Sequence, residues 1–153
     1  MTIIYKTGNL FDSGAECLVC TTNVVGVMGK GIALQFKQRY PEYFQLYKKA
    51  CAEGGMAVGL PIFTKNKATK DQLICSLPTK LHWQNPSQVE WIEKGLRHLA
   101  NSSTAMKLKI VALTIPGTGN GGLQQSTVIP LMEKYLQPIA CEFWVYGRVS
   151  PAV

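Results

Sequence analysis

The sequence predicts an α/β fold in which a largely parallel sheet is covered by helices on both faces. Short apolar runs typical of buried strands alternate along the chain with segments of helical periodicity. Two glycine-rich loops each follow one of these runs directly. A length of 153 residues, with 46% hydrophobic and 16% charged residues, fits one globular domain over 1–153 with a single core. Because strands that alternate with helices tend to pair in parallel, both faces of the sheet need a helical cover.

The first part of the chain predicts two strands followed by two helices. The helix before Pro41 has to end there, because the residue preceding a proline is disfavoured in the α conformation. Pro41 itself suits the first position of the next helix. In order, these elements are a strand over 2–7, a turn over 9–12, a strand over 16–22, and helices over 29–39 and 41–52.

The second part predicts four strands and two helices. Ser87 and Glu90 have the spacing of a capping box, so a helix is expected to begin there and to reach about Ala100. Pro130 is tolerable in the last helix if it lies in or near the first turn. The predicted elements are strands over 60–64, 72–77, 109–114 and 141–146, helices over 87–100 and 126–136, a polar loop or hairpin over 65–71, a segment over 78–83 that leaves its strand, and a tail over 147–153.

The charge balance is basic, with a formal net charge of +7. Lys37 and Lys48 mark one basic region, and Lys65 and Lys67 mark another. Such a charge indicates a polyanionic partner. A solvated basic surface without a partner explains it equally well.

The termini and the cysteines indicate the compartment. No apolar run reaches the length of a membrane-spanning helix, and the N-terminus lacks the segments of a signal peptide. The five cysteines are scattered, and no second pair or nearby histidine completes a zinc set with Cys17 and Cys20. We therefore expect buried, reduced thiols that point to opposite faces of a strand, a cytoplasmic protein, no membrane partner and no metal site.

The first glycine loop carries Gly26, Gly29 and Gly31 between a predicted strand and a predicted helix. This arrangement offers backbone N–H groups to a phosphate, and glycine lets the backbone approach the ligand. Taken alone, it is more often an ordinary tight turn. A second loop over 117–123 changes that balance, because two such loops at the carboxyl ends of parallel strands suit a diphosphate. Neither loop matches the dinucleotide fingerprint or the P-loop.

Few residues are left for chemistry. No Asp or Glu lies in either glycine loop or in 78–83, so a paired-carboxylate hydrolase is poorly supported. The candidates are Lys80, His82, Asn23, Asn120 and Lys30. A lysine beside other cations can have its pKa lowered enough to act as nucleophile or base. On residue type alone, Lys80 is more often a phosphate-binding or surface lysine, and His82 is more often structural.

Three motifs in this order resemble the macrodomain family: the stretch over 23–33, the stretch over 78–83 and the stretch over 117–123. The resemblance also includes residues 7–10 near the start. The sequence is most similar to the DarG-like branch, the DNA ADP-ribosyl glycohydrolases, and the resemblance covers nearly the whole chain.

The resemblance implies a three-layer α/β/α fold with a central mixed, largely parallel sheet and with ADP-ribose in the cleft. Adenine is expected near Asn9 and Leu10, and the distal ribose near Asn23, with Lys80 and His82 as further catalytic candidates. No cofactor is implied. The two loops are expected to hold the diphosphate through Gly26, Val27, Met28, Gly29, Gly31, Ile32, Ala33, Thr118, Gly119, Asn120, Gly121, Gly122 and Leu123.

The resemblance also implies the substrate. Related protein glycohydrolases pair their lysine with an aspartate in the second loop, and Gly121 stands at the matching position here, which favours ADP-ribosylated single-stranded DNA, modified on thymidine. Thr118, in place of a common cysteine, and Gln124-Gln125, in place of Asp-Trp, leave the substrate less defined. The alternatives are an ADP-ribose-binding module and a hydrolase of glutamate-linked or O-acetyl ADP-ribose. We expect a monomer, with a DarT-type toxin as partner if a further domain follows.

Overall fold

Six strands form one central sheet in the computed structural model, which describes residues 2–149. In chain order they are β1 Ile3–Lys6, β2 Cys17–Asn23, β3 Ile62–Lys65, β4 Leu73–Lys80, β5 Ile110–Thr114 and β6 Glu142–Tyr146. Their order across the sheet is β1-β6-β5-β2-β4-β3. Neighbouring strands are parallel except for β3 and β4, which are antiparallel. The predicted mixed, largely parallel sheet is therefore confirmed.

Helices cover both faces of this sheet. They are α1 Gly31–Arg39, α2 Pro41–Ala52, α3 Val89–Ala105 and α4 Gln125–Leu136, and a short 3-10 helix spans Leu10–Asp12. One apolar core contains Phe36 of α1 and Tyr43 of α2, and a second contains Leu96 of α3 and Met132 of α4. Two cores separated by one sheet make the three-layer α/β/α fold.

The side chains of β2 alternate between the two cores, as expected for a strand. Cys17 and Val19 belong to the core under α3 and α4, whereas Leu18 and Cys20 belong to the core under α1 and α2. The two cysteines thus point to opposite faces, and both are free thiols. Burial raises the pKa of each thiol to about 12, so both behave as small apolar side chains.

Strand β4 continues to Lys80, so the prediction that it ends at residue 77 was wrong. A proline was expected to end the strand because it has no N–H to donate. The neighbouring strand β3 pairs with β4 only as far as Ser76, however. From there β4 has a partner strand on one side only, and Pro78 sits where no N–H is needed. Lys80 is consequently held on a strand and not on a flexible loop.

The predicted capping box at Ser87 is also wrong. Helix α3 begins at Val89, with Gln88 as its N-cap residue and no side-chain capping bond, and it continues past the predicted end to Ala105. The backbone N–H of Ser87 instead donates to the carbonyl of Gly121 at 2.9 Å. Ser87 is therefore held by the second glycine loop, which local sequence spacing could not reveal.

Three smaller differences concern element ends. Pro130 lies in the interior of α4 and not in its first turn, so the helix loses one backbone hydrogen bond there. Helix α1 begins at Gly31, which leaves Gly29 in the loop, and β3 covers 62–65 where 60–64 was predicted. The end of the predicted tail over 147–153 lies outside the described residues. Within those residues, no helix combines the length and the apolar character needed to cross a membrane.

Candidate functional site

The cleft lies between the central strands β2 and β5. These strands pair only at Cys17 with Val111 and at Leu18 with Ala112, whereas β2 pairs with β4 along its whole length. Toward their carboxyl ends β2 and β5 therefore separate. Helix α1, which follows β2, and helix α4, which follows β5, pack on opposite faces. A crevice at such a switch point is where open α/β sheets bind ligands.

A cavity of about 660 Å³ fills this crevice. It extends along the sheet from β6 through β5 and β2 to β4, a width of three strand spacings or about 14 Å. Both glycine loops and the end of β4 contribute to its wall. The lining residues are Thr21, Thr22, Asn23, Val27, Gly29, Lys30, Gly31, Ile32, Ala33, Lys80, Trp83, Thr114, Ile115, Gly117, Thr118, Gly119, Asn120, Gly121, Gln125, Tyr146 and Gly147.

The first glycine loop is organised around the buried side chain of Asn23. Its carbonyl oxygen Oδ1 accepts hydrogen bonds from the backbone N–H groups of Val25, Gly26 and Val27 at 3.1–3.3 Å. Its amide Nδ2 donates to the carbonyl of Val27 at 2.8 Å, and the Tyr47 hydroxyl donates to Oδ1 at 2.8 Å. Asn23 therefore shapes the loop, and only the second hydrogen on Nδ2 is left for a ligand.

Helix α1 presents its N-terminus to the cavity. Its N-cap residue, Lys30, makes no side-chain capping bond, and Gly31, Ile32 and Ala33 of the first turn line the cavity. The N–H groups of a first turn have no acceptor within the helix. Together with the helix dipole, they form a site for an anionic group such as a phosphate.

The second glycine loop faces the first across the cavity. The N–H of Leu123 donates to the carbonyl of Gly117 at 3.0 Å, which closes the loop. The backbone N–H groups of Gly119, Asn120 and Gly121 donate to no protein acceptor among residues 2–149. A side chain at Gly31 would come within 3.0 Å of the Asn120 amide, so the two loops nearly touch. The anion-binding surface is therefore two-sided.

Gly121 has no room for a side chain. A Cβ atom there would collide with the carbonyl oxygen of Gly117 and would lie 2.6 Å from the Ser87 hydroxyl. Gly119 is different, because a Cβ atom there would meet nothing within 4 Å. This loop therefore cannot carry a carboxylate at position 121 in its present conformation.

Lys80 stands at the point where β2, β4 and the second loop meet. A register shift after Thr22 places Asn23 opposite Lys80, so the last residues of the two strands are paired. The Lys80 ammonium donates to the carbonyl of Asn120 at 2.7 Å and to that of Trp83 at 3.2 Å. Burial, and then the positive charge of Lys30, lower the pKa of Lys80 below its usual value. Lys80 thus lies at one end of the cavity, where two hydrogen bonds hold its ammonium and its pKa is lowered.

His82 is not among the residues that line the cavity. Its ring stacks on Trp83, with centroids 5.7 Å apart and ring planes at 27°. Its Nδ1 accepts a hydrogen bond from the N–H of Gln84 at 3.2 Å. Trp83, in contrast, does line the cavity. The structure therefore places His82 behind Trp83 and not beside Lys80.

Asn9 and Leu10 lie outside the cavity wall as well. The Asn9 side chain caps the short 3-10 helix by accepting from the N–H of Phe11, and Leu10 is only 3% exposed. Four further predicted contacts also lie outside the lining, although they shape the loops that form it. These are Gly26, Met28, Gly122 and Leu123.

Several lining residues were missed by the sequence analysis. Thr114 ends β5 and Tyr146 ends β6, so both lie at the same edge of the sheet as Asn23 and Lys80. The carboxyl ends of predicted parallel strands were the available signal, but it identifies these residues only once the strand order is known. Among residues 2–149, no three His, Cys, Asp or Glu side chains come together as metal ligands would.

The fold and the two-sided anion site define an α/β/α ligand-binding domain whose site suits phosphate groups. The sequence model of the Macro domain family matches residues 19–132. The chain therefore belongs to the macrodomain family.

Relatives named for an activity or a bound ligand are similar along most of this chain. The "DNA ADP-ribosyl glycohydrolase" of Thermus aquaticus is 39% identical over 148 residues, which is 95% of this chain and 41% of that protein. The "Macrodomain of Mycobacterium tuberculosis DarG" superposes with a TM-score of 0.91 at 38% identity, covering 96% of this chain and 98% of that one. "Thermosipho africanus DarTG in complex with ADP-ribose" superposes with a TM-score of 0.87 at 30% identity, covering 95% and 43%.

These curated relatives are longer than the chain. It spans 41% of the Thermus aquaticus protein and 36% of the corresponding Mycobacterium tuberculosis protein, which is 44% identical over 128 residues. The shared region is the macrodomain.

Proposed function

We propose that this macrodomain binds ADP-ribose in the cleft and hydrolyses the bond between ADP-ribose and the base of a thymidine in DNA. One observation carries the proposal: the ammonium of Lys80 is fixed at the end of a two-sided anion site whose second loop has no room for a carboxylate at position 121. Relatives that are 39% and 44% identical are named for this activity. Catalysis therefore rests on a lysine and not on a lysine–aspartate pair.

The diphosphate of ADP-ribose is proposed to lie between the two glycine loops. The first turn of α1 and the N–H groups of Gly119 and Asn120 would donate to its oxygens. The distal ribose would then lie toward Asn23 and Lys80. The adenosine would extend along the sheet past β5 toward β6, the neighbour of β1, in the direction of Asn9 and Leu10.

Lys80 is proposed to act at C1 of the distal ribose. Its nitrogen donates hydrogen bonds to two backbone carbonyls, which leaves one further bonding position for another contact. In the ammonium form this position is a third N–H, and in the amine form it is a lone pair. The lowered pKa favours the amine more than in an ordinary lysine. Lys80 then acts as a nucleophile on the opened sugar or by proton transfer, and water completes the hydrolysis as the base leaves with a proton.

The basic surface is proposed to hold single-stranded DNA, but the lysines predicted to do so do not form one track. Lys48 lies against the first glycine loop, with its Cγ 3.7 Å from where a Cβ at Gly26 would be. Lys65 pairs with Leu73, the first residue of β4, whose last residue is Lys80. An eight-residue strand puts Lys65 about 23 Å from the Lys80 edge. Lys48 is therefore the better DNA contact.

Turnover on matched substrates tests this proposal. We expect the protein to release ADP-ribose from an ADP-ribosylated thymidine oligonucleotide and not from glutamate-modified protein, while isothermal calorimetry detects free ADP-ribose binding. Binding without release from either substrate would leave an ADP-ribose-binding module. Release from protein alone would establish the esterase alternative.

Salt dependence tests the DNA contact separately. Oligonucleotide turnover should fall with a log–log slope of about −0.7 per phosphate contact, whereas free ADP-ribose binding should be much less sensitive. Lys48→Glu should reduce the slope, and Lys65→Glu serves as its matched control at the far edge. Equal slopes for the two ligands, or equal effects of the two variants, would contradict a DNA contact at Lys48.

Three further proposals concern the protein's setting. We propose a monomer in the cytoplasm that reverses a DarT-type modification and so acts as an antitoxin. Light scattering after gel filtration gives the oligomeric state, and rescue of cells that express a DarT-type toxin tests the antitoxin role. A stable dimer, or no rescue by an active enzyme, would contradict these proposals.

A further inference from the structure

Exposed apolar side chains lie near the Lys80 end of the cavity. Among the described residues, four of the eight exposed large hydrophobic side chains lie in the two segments that leave β2 and β4 side by side. Val27 and Trp83 line the cavity itself, and Val25 and Leu81 lie next to them in sequence. Trp83, the largest, is 41% exposed. Exposed apolar surface of this kind at a cavity mouth usually marks a contact with a ligand.

The Trp83 backbone is held beside Lys80, and its ring stacks on a neighbouring side chain. Its carbonyl accepts from the Lys80 ammonium at 3.2 Å, which ties its backbone to the candidate catalytic group. His82 stacks on its ring, and the N–H of Gln84 holds the His82 imidazole by donating to Nδ1. The N–H of Asn85 donates to the carbonyl of His82 at 3.2 Å and closes the turn. His82 thus packs on one side of the indole, and Trp83 stays 41% exposed.

An exposed aromatic surface recognises other flat aromatic groups. Nucleobases stack on tryptophan because each base has a π face, whatever its sequence identity. The phosphate-binding groups lie on the two glycine loops, whereas Trp83 lies at the Lys80 end, where the distal ribose and its substituent would be. A glutamate-linked substrate has no aromatic ring to place there. Trp83 would therefore discriminate between the two kinds of linkage.

We propose that Trp83 is the stacking platform for the nucleobase that carries ADP-ribose, with His82 as the positioning residue behind it. This inference rests on the proposed function, because it names the residue that would make the same site prefer a base-linked substrate. It also changes the role of His82 from the expected catalytic group to a support for Trp83.

Turnover of Trp83 variants tests the platform. Trp83→Ala should lower kcat/KM on an ADP-ribosylated oligonucleotide roughly tenfold to a hundredfold, the size of effect seen when a base loses its stacking partner. Its affinity for free ADP-ribose should stay within about threefold, because the indole is placed beyond the diphosphate. Trp83→Phe should recover most of the loss. The matched control is Trp144→Phe, whose ring lies under Lys6 and outside the cavity lining.

Three results would overturn the proposal: no change in Trp83→Ala, equal losses for the oligonucleotide and free ADP-ribose, or a Phe variant as poor as the Ala variant. Stopped-flow fluorescence gives a readout that does not need turnover. Mixing with the ADP-ribosylated oligonucleotide should quench tryptophan emission in wild type and in Trp144→Phe, but not in Trp83→Phe. If wild type shows the quench but releases no ADP-ribose, the proposed hydrolysis fails while the stacking stands.

His82 variants separate positioning from chemistry. His82→Phe keeps a flat ring behind Trp83 without an ionisable group, so it should retain turnover, its pH profile and the quench. His82→Ala should lose part of both turnover and quench. If His82→Phe abolishes turnover while the quench persists, the imidazole takes part in the reaction, and its assignment as a positioning residue is wrong.

Discussion

The two glycine loops of the cleft are similar in composition but are held in different ways. The first is held by the Asn23 side chain, which accepts hydrogen bonds from three backbone N–H groups of the loop. The Tyr47 hydroxyl of α2 donates a further hydrogen bond to the same Asn23 oxygen. The second is closed by its own backbone bonds and is tied from outside by Lys80 and by the N–H of Ser87.

In the first loop, the residue that holds the backbone has mainly a structural role. In the second loop, the residue that holds the backbone is also the proposed catalytic group. Asn23 supports the first loop with nearly all of its hydrogen-bonding capacity, so its loss is chiefly a structural event. Lys80 supports the second loop with the same nitrogen that we propose to act on the substrate. The two loops, which we propose to hold one diphosphate, should therefore respond differently to substitution.

The largest expected effect is that of Lys80→Ala on turnover. We expect a loss of at least about a thousandfold in kcat, with ADP-ribose affinity within a few-fold, because a group acting mainly in the transition state contributes little to ground-state binding. Single-turnover kinetics and calorimetry measure the two quantities. Activity that falls only in proportion to affinity would mean that Lys80 holds the second loop in place and takes no part in the reaction.

A glutamate in either loop should block ligand binding and leave the fold intact. At Gly119 a Cβ atom meets nothing within 4 Å, and at Gly29 it meets only the Val27 side chain at 3.8 Å. Bulk and negative charge in an anion site should reduce ADP-ribose affinity by more than about a hundredfold, since like charge in a desolvated site is strongly unfavourable. Undiminished binding by a folded Gly119→Glu protein would remove the second loop from the site.

Alanine substitutions in the second loop should differ sharply between neighbours. Gly121→Ala forces a methyl group against backbone and should cost about 1–3 kcal/mol of unfolding free energy, the usual range for overpacking. Gly119→Ala, two residues away, should be close to neutral. Urea denaturation of the pair gives the comparison. A Gly121→Ala protein as stable as Gly119→Ala would show that the loop has another accessible conformation, one that could admit a carboxylate.

In the first loop, Asn23→Ala should destabilise through the N–H groups that it leaves without an acceptor. Buried donors without partners cost about 1–3 kcal/mol, whereas Tyr47→Phe removes a single donor and should cost about 0.5–1.5 kcal/mol. Denaturation midpoints with unchanged m-values measure both losses. If Tyr47→Phe proves as costly as Asn23→Ala, the first loop depends on α2 more than on its own asparagine.

The smallest effect concerns pH. The positive charge of Lys30 is the second cause, after burial, of the lowered Lys80 pKa. If Lys80 acts as an amine, activity rises with pH through that pKa. Lys30→Gln removes the charge, so the pKa of Lys80 should rise toward its usual value and the rising limb of kcat/KM should move to higher pH. A limb that stays in place, or moves to lower pH, would mean that another group controls it.

Much of the fold was predictable because its signals are local. Helix α2 spans Pro41–Ala52 as predicted, since a proline at the first position and a regular apolar spacing belong to the helix itself. The end of α1 before Pro41 and the alternation of Cys17 and Cys20 across β2 follow from equally local rules. Both glycine loops were likewise evident as interruptions between periodic segments.

The positions that misled prediction are those where a distant segment supplies what the local sequence lacks. Pro78 can remain in β4 because β3 does not extend far enough to require a hydrogen bond from that position. Ser87 does not cap α3, because its backbone N–H is bonded to the carbonyl of Gly121. The composition of the cleft has the same origin. The glycines, Lys80 and the alternation of strands and helices were determined by the sequence alone. Which residues face one another was decided by the placement of β5 beside β2 and by the separation of these two strands, because strand order arises from packing between segments far apart in the chain.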